Sequence, residues 1–295
     1  MEMRNFAAAV VLRVRWFLSI LLLAFLSSAV VAGDKSDLRV ADYFLNHLSN
    51  DPFYPLAKID NRVSLHIREV VVAGRERSAA VDGKVLLLIH GGTIPGYIAF
   101  DSDNENCSLM RYFAHSGWDT FAVDLEGFGL STRPEIMDNP EAFPGSRAPM
   151  HLDVTIRDVE RAVDFITNIR GIEKVQVLGW SQGASLEAPL YALRHPQRVA
   201  KLVLFGGTDG LDRSPEERAK ITSEREAKKV DATAPDVKAW AGLGTEADFV
   251  IPSCFDAYKA AHLASDPKSA ELGGKVRFPT GRYVDLNAIP LFDAS

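Results

Sequence analysis

Basic residues never gather into a stripe in this chain. Its 33 Lys and Arg stand against 39 Asp and Glu, a formal net charge of -6, so it offers no electrostatic footprint for nucleic acid. Histidine is sparse too. The seven copies are scattered without metal-ligand spacing, so no metal is expected. Neither a P-loop nor a glycine fingerprint for a dinucleotide occurs, so no cofactor is expected. Cysteine is limited to Cys107 and Cys254. In an oxidising compartment these could pair, yet residues so far apart in sequence could equally be separate buried thiols. Repeats and low-complexity tracts are absent as well. With 47% hydrophobic and 24% charged residues, the composition suits a soluble globular enzyme of one large domain plus an insertion.

The amino terminus differs in kind from the rest. Arg4, Arg13 and Arg15 precede an uncharged stretch from Trp16 to Ala32, and Val30-Val31-Ala32 has the small-residue character of a cleavage site. Residues 1–32 therefore read as a secretory signal peptide, giving an exported protein, periplasmic or extracellular, with no stable membrane span after cleavage. The alternative is an uncleaved segment that anchors the chain to the membrane.

Chemistry concentrates in three stretches. Val175-Gln-Val-Leu-Gly-Trp-Ser-Gln-Gly183 places Ser181 between two glycines at the end of an apolar run, followed by Leu186, Leu190 and Leu193 at near-helical spacing up to His195-Pro196. Strand, sharp turn and helix in that order expose a serine hydroxyl for attack on carbonyls, and the flanking Gly179 and Gly183 supply the clearance such a turn needs. Pro189 lies inside the helical pattern and is expected to kink it. Upstream, Val85-Leu-Leu-Leu-Ile-His-Gly-Gly92 runs an apolar strand into His-Gly-Gly. Acyl transfer builds negative charge on the carbonyl oxygen, and the backbone N–H groups of Gly92 and Gln182 are the expected donors to it, with His90 bracing the loop. Between these, Thr120 to Val123 is another apolar strand, leading into Asp124-Leu-Glu-Gly-Phe-Gly-Leu-Ser131; Asp124 is read as organising this loop rather than as a catalytic acid.

Together these stretches, over roughly Val85 to Gly206, resemble the α/β-hydrolase family. The resemblance implies a mostly parallel, doubly wound sheet with helices on both faces and Ser181 at its carboxyl edge. Spacing agrees. Ile156, Val159, Val163 and Ile166 mark one face of a helix stopping near Gly171, and Lys201 to Phe205 gives the next strand. Val63 to Val72 suggests strands of an antiparallel lead-in, with a turn near Gly74 or Asp82-Gly83. After residues 33–206 as core, residues 207–285 look like a helical cap inserted after the sixth strand, and residues 286–295 like the start of a return to the core.

In this family an acid and then a histidine follow the serine. Only His195 and His262 do so here, the first at the end of the elbow helix and the second in the cap, and neither is placed as a base. Asp209 sits where some relatives carry the acid. The last two core strands are expected to be missing, so the chain reads as a truncated hydrolase whose strand at Lys201 to Phe205 is an uncovered edge open to self-association. Two functions stay open. One is a serine hydrolase of carboxylic ester or amide bonds, working through an acyl-enzyme on Ser181 but impaired in this chain. The other is a non-catalytic, hydrolase-like binding protein or inactive fragment.

Overall fold

The computed structural model describes residues 37–50, 62–207, 213–235 and 251–288. The signal segment, Asp209 and residues 289–295 lie outside the described residues. The main sheet has strands β1 (Leu38–Leu48), β2 (Arg62–Val72), β3 (Val85–Ile89), β4 (Asp119–Val123), β5 (Val175–Trp180) and β6 (Val199–Phe205), in the order β1-β2-β4-β3-β5-β6. Strands β1 and β2 pair antiparallel, as do β2 and β4, while β4, β3, β5 and β6 run parallel. The mostly parallel sheet expected from the sequence is present.

Among the described residues the helices are α1 (Glu76–Val81), α2 (Gly96–Phe100), α3 (Leu109–His115), α4 (Leu152–Arg170), α5 (Gln182–Ser185), α6 (Glu187–Arg194), α7 (Pro215–Lys228), α8 (Pro252–Ala264) and α9 (Gly281–Ala288). All five residues of β3 are buried, because alternate side chains enter two different cores. Val85, Leu87 and Ile89 pack with Ile156, Val159, Val163 and Ile166 of α4, whereas Leu86 and Leu88 pack with Phe100, Met110 and Ala114 around α2 and α3. Helices therefore cover both faces. The α4 face repeats at three and four residues as its sequence spacing requires, and Gly171 ends the helix in the left-handed conformation at φ 63°.

Three details depart from the sequence reading. The lead-in at Val63 to Val72 is one strand, and its antiparallel partner is Leu38–Leu48, paired residue for residue from Leu38 with Val72 to Leu48 with Arg62. Strand β1 went unread because Tyr43-Phe-Leu45 breaks the alternation of a half-buried strand. Pro189 bends nothing. The helix breaks earlier, at Leu186 (φ -121°, ψ -79°), so the proline falls in the first turn of α6, where a missing N–H costs no helical bond. Finally, Val276–Pro279 (β8) pairs antiparallel with Val230–Thr233 (β7) in a separate two-stranded sheet.

Cys107 and Cys254 form a disulfide with 5.5 Å between Cα atoms. That settles the open alternative and ties the start of α8 to the turn before α3. Among the described residues β6 is an edge strand of the main sheet, paired only with β5: Val203 is 48% and Phe205 63% exposed, and both faces of the strand meet solvent. An apolar edge of this kind is a template for pairing. Concentration-dependent association is the expected outcome in sedimentation velocity, with Val203→Lys shifting the population to monomer; a wild-type chain monomeric at all accessible concentrations would contradict it.

Candidate active site

Ser181 stands where β5 ends and α5 begins, with φ 54° and ψ -120°. A side-chain-bearing residue held there stores about 1–3 kcal/mol of backbone strain. Close packing enforces it. A β-carbon at Gly179 would lie 2.4 Å from Gly183 O, and one at Gly183 would lie 2.5 Å from Ile89 O, so only glycines let the start of α5 approach both β5 and the end of β3. Ser181 O accepts the first helical bonds, from Ala184 N at 3.0 Å and Ser185 N at 3.1 Å. The hydroxyl makes no capping bond to the helix it precedes.

The His90-Gly91-Gly92 loop lies against this serine. A β-carbon at Gly91 would be 3.0 Å from Ser181 Cβ and 3.4 Å from its Oγ. One at Gly92 would meet Gln182 Oε1 at 2.4 Å and the Tyr283 hydroxyl at 2.5 Å. The three residues expected to form the site, Ser181, Gly92 and Gln182, are thus brought together, with Tyr283 of α9 as a fourth that sequence reading missed. Gln182 opens α5, so its backbone N–H is one of the donors that a helix start leaves without an intrahelical partner. Its side-chain amide is buried, and among the described residues neither of its polar atoms has a hydrogen-bond partner.

His90 braces the loop, as expected. Leu125 N–H donates to its Nε2 at 3.2 Å, so the ring proton is on Nδ1, which donates to Gly91 O at 2.7 Å. Burial, with the Arg282 charge nearby, pushes its pKa down to about 3 and keeps the ring neutral. Asp124 organises the neighbouring loop: it accepts from Tyr97 N and Leu130 N, each at 3.0 Å, and pairs with His66 Nδ1 at 2.8 Å.

The main residue missed from the sequence is Arg282. It is fully buried and forms a two-pronged pair with the equally buried Glu187, Nε to Oε1 at 2.7 Å and Nη2 to Oε2 at 2.8 Å. The same guanidinium donates to Gly91 O at 2.7 Å and to His90 O at 3.2 Å, while Thr155 of α4 donates to Glu187 at 2.8 Å. One ion pair therefore holds the His90-Gly91-Gly92 loop, the helix after the elbow, α4 and α9. No local signal could have shown this, because the partners lie 95 positions apart.

None of the seven histidines is hydrogen-bonded to Ser181 among the described residues, which include all seven. His262 is buried, donating from Nε2 to Thr93 O at 3.1 Å and accepting at Nδ1 from the Tyr258 hydroxyl at 3.1 Å; burial pushes its pKa down to about 4. It supports the loop after β3 from α8, through Thr93 O. His195 sits 3.2 Å from Glu160. His66 and His151 are each held between two carboxylates.

A family model for the alpha/beta hydrolase fold matches residues 84–242. The chain belongs to this family. It is similar to the 2-hydroxy-6-oxononadienedioate/2-hydroxy-6-oxononatrienedioate hydrolase of Paraburkholderia phymatum, 31% identical over 128 residues that cover 43% of this chain and 38% of that protein. It is also similar to the 2-hydroxymuconate semialdehyde hydrolase of a Pseudomonas species (strain CF600), 31% identical over 154 residues covering 49% and 47%. The chain spans less than half the length of these curated relatives. Among solved structures, the thioesterase domain from the curacin biosynthetic pathway shares the fold, with a TM-score of 0.50 and 16% identity over 85% of this chain and 73% of that one.

Glu187→Gln leaves the Arg282 charge buried without its counterion, and the expected loss is about 3–5 kcal/mol of unfolding free energy. Thr155→Ala, which removes one hydrogen bond and keeps the pair, is expected to cost about 1–2 kcal/mol. Urea titration measures both, and a Glu187→Gln chain within about 1 kcal/mol of wild type would contradict the assigned role.

Proposed function

We propose that the chain is a serine-nucleophile hydrolase of carboxylic esters, with amides as a slower class, and that it turns over slowly as folded here. The observation that carries this reading is the strained Ser181 at the elbow with Gly91 packed against it. In the proposed reaction Ser181 Oγ bonds to the carbonyl carbon while the N–H groups of Gly92 and Gln182 hold the oxyanion. The tetrahedral intermediate then collapses, its ester C–O bond breaks, the alkoxide takes a proton from solvent and leaves as the alcohol, and water attacks the acyl-enzyme to release the acid and restore the Ser181 hydroxyl. Attack requires the hydroxyl to lose its proton. With no histidine hydrogen-bonded to Ser181 among the described residues, that proton passes to solvent, and the contribution of a positioned base, typically 10²–10⁴-fold, is missing. Rate enhancement then rests on the oxyanion donors and on binding.

The relatives bear on the electrophile. Their names specify substrates with an oxo or aldehyde group, which supports a carbonyl compound as the reacting partner. An oxo-dicarboxylate is the second substrate class to try after simple esters. The unsatisfied Gln182 amide favours a polar substituent beside that carbonyl, and it would serve the alternative, a non-catalytic binding protein, equally well. Export is also part of the proposal. The Cys107–Cys254 disulfide supports it, since such bonds persist in oxidising compartments.

Labelling by a fluorophosphonate probe tests the serine without knowledge of the substrate. The expected result is slow labelling, abolished by Ser181→Ala, whose rate climbs with hydroxide concentration and shows no plateau above the ordinary histidine pKa of about 6.5. Rapid labelling that levels off near neutral pH would overturn the missing base, and labelling unaffected by Ser181→Ala would overturn the nucleophile.

A further inference from the structure

A second cluster of chemistry-bearing side chains brings together β1, the loop after β4 and α4. His47 comes from the end of β1, Glu126 from the loop after β4, and Asp158 from the middle of α4. His47 Nε2 is 3.3 Å from Asp158 Oδ1 and 3.6 Å from Glu126 Oε1, and one ligand atom from each residue lies within 4.8 Å of the other two. Both carboxylates are fully buried, and the His47 side chain is 8% exposed.

Hydrogen bonding between Glu126 and Asp158 accounts for part of the convergence, but not for His47. Asp158 Oδ2 accepts the backbone N–H of Glu126 at 2.9 Å, which turns Oδ1 toward the imidazole. Yet Asp158 Oδ1 and His47 Nε2 are both buried, and among the described residues neither has a hydrogen-bond partner. Two polar atoms are thus aimed into the cluster without a proton shared between them, which is costly unless something else joins them. The separations suggest what does. With metal–donor bonds of about 2.0–2.1 Å, the donors of a tetrahedral zinc site lie about 3.3 Å apart. One imidazole and two carboxylates are also a donor set that zinc accepts, with a fourth position left for water.

We propose that His47, Glu126 and Asp158 bind one divalent cation, best matched by zinc, as a structural staple joining β1, the loop after β4 and α4. The partly exposed edge of His47 is its route of entry. The staple fixes α4, whose Thr155 holds Glu187, so it supports the site from beneath and takes no part in the chemistry. Sequence spacing gave no sign of it, because the three ligands come from three distant elements.

The test uses the full chain, stripped of metal by chelation and titrated with zinc chloride in a calorimeter. Cobalt(II) chloride in parallel reports tetrahedral geometry by its visible absorbance. The expected result is one equivalent bound with a raised thermal midpoint, and an affinity about 100-fold or more weaker in His47→Ala and in Asp158→Asn. Magnesium chloride should leave the midpoint unmoved. Far-UV circular dichroism checks each variant; should Asp158→Asn not fold, His47→Ala, at a strand end, carries the comparison. Failure of zinc to bind saturably overturns the proposal, and so does binding of unchanged strength in His47→Ala, which would place the metal on other groups.

Discussion

The buried pair between Arg282 and Glu187 is the constraint on which the site depends. Two opposite charges out of water are tolerable only when their remaining hydrogen-bonding capacity is used, and here it is. Glu187 also accepts from Thr155, and Arg282 reaches the carbonyls of His90 and Gly91. These carbonyls belong to the loop that faces Ser181. The helix that follows the Ser181 elbow is therefore connected through one guanidinium to the backbone opposite it, and a shift of α9 would move the His90-Gly91-Gly92 loop with it.

Around that connection the loop is held three more times without any group that titrates near neutrality. His90 and His262 are both neutral, each donating one N–H to a loop carbonyl, and burial keeps both pKa values far below the ordinary range. The disulfide fixes the start of the helix that carries His262. This investment in rigidity suits a hole that must be formed before charge develops. Both ring nitrogens of His90 and of His262 are committed to these scaffold contacts.

Legibility followed locality. The elbow could be read because its requirement is local: glycines two positions either side of a serine, after an apolar strand and before a helix. Strands β3 and β4 could be read because burial on both faces leaves apolar runs, β5 and β6 because their own sequences are apolar runs although β6 is exposed, and α4 because its core face repeats at helical spacing. Strand β1 lacked clean alternation, and β7 and β8 are four residues each. Arg282 is one arginine in a polar helix until Glu187 is placed beside it. Pairing of Cys107 with Cys254 could not be decided from separation alone, since it depends on α8 folding back over the turn before α3. The cation cluster combines a strand end, a loop and a helix that only the folded sheet brings together.

A structure of the Ser181 adduct with a small alkyl fluorophosphonate tests the central claim most directly, because phosphorus adopts the tetrahedral arrangement that the oxyanion loop is argued to hold. The account predicts phosphorus bonded to Ser181 Oγ, its oxygen about 2.7–3.1 Å from the N–H groups of Gly92 and Gln182, and no histidine within hydrogen-bonding distance of Oγ. A phosphoryl oxygen turned to solvent, or a histidine drawn onto Oγ in the adduct, would contradict it.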